Sequence, residues 1–340
     1  NPCRLRSASS SLAEGTIIYM IKNLQYLRAF AATNVAYLHV LVGSEMYDMS
    51  ASSLSAFSTS RWGANGVDIF FVLSGFIMMY TQIHNPKKIH EFYLSRIIRI
   101  IPIYWLISLF IIILYLIFPI IFKSFSLDLK KVISSLFFMA QPLTGGKPII
   151  VIGWTLEWEM LFYFIFGLSL FLQDIKKRIY LIFLLMVLIF VLTKYLLIFE
   201  FFLGVLIAYI HNKVKLSHNV GLMIFIFGVI LLLLSLNSYF YTIDIDRFFK
   251  WGIPSVFIIA GAVYCRQLDN SLLFYLGNAS YSIYLINVIT IPFFYKFITF
   301  FDIKMNYELL TILCLIFTII VGCFFYSFIE KHLKIKKKII

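Results

Sequence analysis

The sequence predicts an all-α integral membrane protein with about ten transmembrane helices and both termini cytoplasmic. Three observations carry that expectation. First, 61% of the 340 residues are hydrophobic and 13% are charged, against roughly 45–50% and 25% in soluble domains. Second, the apolar residues run continuously, as in IPIYWLISLFIIILYLIFPIIF (101–122) and IYLIFLLMVLIFVLTKYLLIF (179–199). Such runs reach the ~20 residues a spanning helix needs and lack the alternation of a barrel strand. Third, basic residues gather in short stretches between the runs, the pattern that holds loops on the cytoplasmic side.

Taken in order, residues 1–19 (NPCRLRSASSSLAEGTIIY) lack the apolar core of a signal peptide. They read as a flexible leader or an upstream extension, with Met20 as a candidate start. Apolar runs then give spans near 24–44, 66–83, 98–122, 151–172, 178–198, 199–211, 219–236, 250–265, 272–297 and 307–329. The stretch VISSLFFMAQPL (132–143) is too short to cross and fits a non-spanning, interfacial or re-entrant segment. Lys87, Lys88, Arg96 and Arg99 place the 84–99 connection in the cytoplasm; Lys176–Arg178, Lys213, Lys215, Arg266 and the terminal lysines do the same for theirs. Connections 45–65, 237–249 and 298–306 carry more acid or less base and face outward. Ten crossings satisfy this pattern, whereas an eleventh through 132–143 would leave Lys176, Lys177 and Arg178 outside. The organisation expected is a leader (1–19), one membrane domain (20–332) and a basic cytoplasmic tail (333–340).

The net charge of +13 does not point to nucleic acid, because its distribution follows the loops beside an anionic membrane face. Cys3, Cys265, Cys314 and Cys323 show no metal-ligand or disulfide spacing, so no metal site is expected. No fixed-period repeat and no inverted repeat of the transporter kind is evident.

The first span, LQYLRAFAATNVAYLHV (24–40), carries Arg28 and His39. Eleven steps of about 100° bring the two to within about 20° on one helix face, about 16 Å apart along the axis. Gln25, Arg28, Asn34 and His39 form a polar stripe, and ionisable residues inside a span point to function. The ordinary alternative is an arginine snorkelling to head groups and a histidine bonded to a neighbour's backbone. Histidine is also the side chain suited to take a proton near neutral pH.

Further segments accompany this pair: GANGVDIFFVLSGFIM (63–78), SRIIRIIPIYW (95–105), GWTLEWEMLFYFIFG (153–167) and LGNASYSIYLIN (276–287). Together with Arg28–x10–His39, in this order from about Leu24 to Glu330, they resemble the acyltransferase-3 family of membrane acyltransferases. That family includes O-acetyltransferases of bacterial surface polysaccharides. The resemblance implies an enzyme of the bacterial inner membrane with no bound cofactor. It would move an acyl group, acetyl first, from cytoplasmic acyl-CoA to a hydroxyl of a cell-surface or lipid-linked glycan. The competing expectations are a transporter or flippase of a lipid-linked or amphipathic substrate, and a non-catalytic partner in polysaccharide assembly. Oligomeric state and acceptor identity stay open at this stage.

By the same resemblance His39 is the catalytic base and Arg28 belongs to its site. Glu159 matches the family's glutamate, as partner of His39 or of the acceptor sugar. Asp68 joins the catalytic group, although a carboxylate at a helix start is favourable in its own right. Arg96 and Arg99, three residues apart and so neighbours on one face, suit the phosphates of coenzyme A; the alternative is ordinary positive-inside anchoring. Trp154, Tyr163, Ser74, Tyr281, Ser282 and Asn287 are the expected cavity or acceptor lining, with Ser74 and Gly75 also fitting close helix packing. Asn287 stands where many relatives have histidine, and it cannot shuttle a proton. Glu157 receives no role, and Glu330 reads as structural.

Overall fold

The computed structural model describes residues 21–49, 57, 60–119, 127–141, 145–237 and 246–335. The expected leader (1–19), Met20 and the end of the basic tail (336–340) lie outside them. The described helices are α1 (Lys22–Met46), α2 (Asn65–His84), α3 (Ile89–Ile117), α4 (Leu129–Leu136), α5 (Trp154–Ser169), α6 (Ile175–Thr193), α7 (Ile198–Lys213), α8 (His218–Leu234), α9 (Ile253–Tyr264), α10 (Ser271–Phe300), α11 (Tyr307–Phe325) and α12 (Lys331–Ile335). Five-residue π-helical turns, Phe248–Gly252 and Tyr326–Glu330, lead into α9 and α12.

Five helical stretches are long and apolar enough to cross a bilayer: Trp62–His84, Ile89–Ile117, Val151–Ser169, Ser271–Phe300 and Tyr307–Leu333. The chain is therefore a multi-pass membrane protein. Its outward faces follow from helical periodicity. On α11, Ile312, Ile316, Ile320 and Phe324 recur every fourth residue and are all exposed, which in hydrocarbon costs nothing. In contrast, α1 is buried along most of its length, small at Ala31, Ala32 and Ala36 and polar at Arg28 and Asn34. It packs against α10 along its length and also against α2 and α11.

The pairing of α1 with α10 is parallel. Lys22 bridges Asp269 at 2.9 Å and Tyr26 donates to the Leu268 carbonyl at 2.8 Å where both helices begin. Farther along, Tyr295 donates to the Val40 carbonyl at 3.2 Å. The α2–α7 pair is also parallel and very close: a methyl group at Gly75 would strike the Phe201 backbone, and one at Gly204 the Val72 backbone. Glycine at both positions lets the helix backbones touch. In the adjoining α10–α11 hairpin, Thr290 donates to Thr318 at 3.1 Å.

Three expectations change in detail. Helix α3 starts at Ile89, where the Glu91 carboxylate accepts the Lys88 backbone N–H at 3.2 Å. Arg96 and Arg99 thus lie two to three turns inside a helix, not in an 84–99 loop. The boundary expected between spans at 198 and 199 falls at Lys194, which takes a left-handed conformation (φ 63°) and stops α6. The 132–143 segment contains α4, eight residues or about 12 Å long and too short to span; its residues 142 and 143 lie outside the described chain. Ile149 N–H bonds Ser135 Oγ at 3.0 Å and Trp105 Nε1 bonds the Leu136 carbonyl at 2.9 Å, which holds α4 against the bundle.

Candidate active site

Five helices meet around a small cavity of about 70 Å³. Arg28 of α1, Ser74 of α2, Arg99 of α3, Glu159 and Tyr163 of α5, and Tyr281 of α10 line it. Arg28 is nearly buried, at 9% exposure, and its Nη2 donates to Ser280 Oγ at 3.0 Å. Glu159 accepts from Ser74 Oγ at 2.8 Å and from the Tyr163 hydroxyl. The Arg96 guanidinium stands 5.8 Å from the Tyr163 ring centre, with Nη1 buried and lacking a hydrogen-bond partner among the described residues. Tyr281 donates to the Ile100 carbonyl at 2.9 Å, tying α10 to α3. Glu330 acts electrostatically on Arg28 and accepts from the buried Ser282 hydroxyl. Within the lining, the guanidinium groups of Arg28 and Arg99 accompany the one carboxylate of Glu159, and the surplus positive charge favours an anionic guest.

His39 is half-buried farther along α1, with its Nδ1 3.2 Å from Asn287 Oδ1. An amide oxygen there selects the imidazole tautomer protonated at Nδ1, which leaves the Nε2 lone pair as the basic atom. Asn287 itself is buried, and its Nδ2 has no partner among the described residues. Ser280 and Asn287 are seven residues apart on α10, so the two α1–α10 contacts share one face about 10 Å apart.

The expected polar stripe of α1 divides by partner. Arg28 and His39 meet α10, while Asn34 donates to Asn65 Oδ1 of α2 at 2.8 Å. Glu159 does not meet His39; it bonds Ser74 and Tyr163 on the cavity wall. Ser282 leaves the cavity lining because two helical steps turn it about 200° from Ser280, toward Glu330. Asp68 is also elsewhere: Arg247 Nη2 and Nε bond its carboxylate at 2.7 and 2.9 Å. Trp154 stacks on that same Arg247, 5.5 Å from its ring centre to the guanidinium, and lines a neighbouring opening instead. His39, Asn287 and Arg96 likewise stand outside the lining of the small cavity.

Sequence reasoning missed Ser280, Thr155 and Arg247. Ser280 lies inside the quoted LGNASYSIYLIN segment, and its helical phase with Asn287 was a usable signal. Thr155, which lines the cavity and lies 2.6 Å from the Tyr284 hydroxyl, and Arg247, whose partner is 179 residues away, carried no local signal. The cysteines described, Cys265, Cys314 and Cys323, are free, and no group of three metal-ligating side chains occurs among the described residues.

With this geometry in view, the family model of an acyltransferase domain, type 3, matches residues 21–328. The chain belongs to the acyltransferase-3 family. The cavity and the His39–Asn287 contact thus lie within the matched region of an acyltransferase. The chain is 42% identical over 113 residues to the exopolysaccharide production protein ExoZ of Rhizobium meliloti (strain 1021). That alignment covers 32% of this chain and 35% of ExoZ, about a third of the relative's length. No solved structure matches this chain.

Proposed function

We propose that this acyltransferase moves an acetyl group from cytoplasmic acetyl-CoA to a hydroxyl of a bacterial glycan, across the inner membrane. Ten crossings, with both termini and the Arg96/Arg99 end inside, complete the topology. The alternating directions of neighbouring helices and the parallel pairs α1–α10 and α2–α7 support that count. The donor's phosphates meet Arg96 and Arg99, with Arg28 deeper along the path. The pantetheine arm then bridges the roughly 16 Å of helix rise from Arg28 to His39. Since the cavity measures about 70 Å³, donor entry requires its lining side chains to rotate aside.

At the far end, His39 Nε2 accepts the proton of the acceptor hydroxyl as its oxygen attacks the thioester carbonyl. The new C–O ester bond forms, the C–S bond breaks, and the departing thiolate takes up a proton. Glu159 holds Ser74 and Tyr163 in place, and Asp68 fixes Arg247. The observation that carries this reading is the pairing, along one face of α1, of a cation-rich cavity with an imidazole whose Nδ1 is occupied. ExoZ's printed role in exopolysaccharide production supports a glycan acceptor.

The test is transfer of label from acetyl-CoA to a surface-glycan fraction by the purified protein. His39→Ala is expected to lower transfer by about 10²–10⁴-fold with membrane insertion unchanged. Arg99→Ala is expected to raise the KM for acetyl-CoA more than it lowers kcat. Full transfer by the His39 variant would remove the base from the scheme.

A further inference from the structure

Two openings adjoin beside α5, outside the small cavity. One, of about 670 Å³, is polar and aromatic, with Lys147, Trp154, Asp246 and Arg247 on its walls. The other, of about 660 Å³, is apolar, with Phe137, Met160, Phe164 and Leu192. Gln141, Trp158 and Tyr195 line both, so the two are halves of one trough.

The shared wall is built rather than incidental. Glu157, buried at 7% exposure, accepts the backbone N–H groups of Ala140 and Gln141 at 3.0 and 3.1 Å. Its carboxylate clamps the chain after α4 onto α5, and this holds Gln141 between the two halves. Trp158 and Tyr195 meet edge to face, with ring centres 5.7 Å apart.

We propose that this trough binds the acceptor as a lipid-linked saccharide, a sugar joined through phosphate to a long hydrocarbon chain. The inference rests on the acyl-transfer reading above and names its acceptor class. Tryptophan and tyrosine rings offer flat apolar faces with polar edges, which suit the C–H faces of a sugar. Arg247 is held rigidly by Asp68, and its Nη1 takes no part in those bonds. Lys147 has no ion-pair partner among the described residues. Together they supply cationic donors for the phosphate. The apolar half is open at its outer wall, where Phe137, Phe164 and Leu192 are exposed, an apolar surface that suits contact with hydrocarbon. A free polysaccharide has no use for that half, and a plain phospholipid has no use for the aromatic one. The sugar end also sits closest to the reaction path, because Trp154 precedes the cavity residue Thr155 and Arg247 anchors to α2 through Asp68.

The experiment is photolabelling of the full-length protein in lipid nanodiscs. The probes are a polyprenyl monophosphate with a diazirine in its chain and a phosphatidic acid with the same diazirine. Labelled peptides are mapped by mass spectrometry. The polyprenyl probe is expected to label 137–141, 160–164 and 189–195 several-fold more than phosphatidic acid does. Tyr195→Ala and Leu192→Asp are each expected to weaken that labelling several-fold, while His39→Ala leaves it unchanged. Equal labelling by the two probes, or polyprenyl labelling spread over the exposed faces of α8 and α11, overturns the proposal. Labelling needs no turnover, so loss of the trough and failure of the acetyl-transfer assay are separate results.

Discussion

His39 owes its chemical character to one neighbour. With Asn287 Oδ1 at Nδ1, the ring is held with Nε2 in a fixed direction, the geometry that the proposed role of a base with an orienting group needs. Replacing that neighbour separates positioning from binding. Asn287→Ala is expected to lower kcat about three- to tenfold, the worth of one buried hydrogen bond, and to leave the KM for acetyl-CoA unchanged. Steady-state kinetics at varied acetyl-CoA check the split, and an unchanged kcat would mean that the contact is packing alone. The motif spacing made Arg28 and His39 legible as a pair. The resemblance offered Glu159 as partner of His39 or of the acceptor sugar; it bonds Ser74 and Tyr163, and nothing in WTLEWEM says which helix faces α5 at that turn.

Helices in hydrocarbon gain little from burying apolar surface against one another, so close backbone approach and a few polar ties determine which elements pair. Gly75 and Gly204 do the first for α2 and α7. The Asp68–Arg247 pair does the second, joining the start of α2 to the turn before α9. Asp68 is fully buried, and removing its cation leaves an uncompensated charge. Arg247→Met is therefore expected to cost about 3–5 kcal/mol, read as a lower unfolding midpoint in detergent. Asp68→Asn added to it is expected to restore part of that loss. Gly204→Leu is expected to cost about 1–3 kcal/mol through overpacking, measured the same way. SGF in the FFVLSGF run announced close packing; the receiving surface, Phe201 on α7, lay more than a hundred residues away and was not readable.

For the whole molecule, the proposed ten alternating crossings make a prediction about sides. In a background without native cysteines, Lys87→Cys is expected to react with a membrane-impermeant maleimide only after the cells are opened. Asp302→Cys is expected to react on intact cells. Both positions reacting from one side would break the alternation between α2 and α10. In the proposed topology Arg96 and Arg99 would stand at the inner end and His39 with the trough at the outer end, so that donor and acceptor would approach from opposite faces.

By itself the sequence determined the class of the molecule, its membrane residence, most of its helices and the family to which it belongs. These depend on composition, periodicity and short ordered motifs, all local along the chain. Tertiary structure alone decided that His39 meets Asn287, that Glu159 serves Ser74 and Tyr163, that Asp68 is neutralised by Arg247, and that Glu157 builds a wall. Each of those is a choice between partners up to 248 residues apart. Helical phase restricts which way a side chain points, but which neighbour stands there depends on how the helices pack, and in a bilayer that is governed by contacts no single segment encodes.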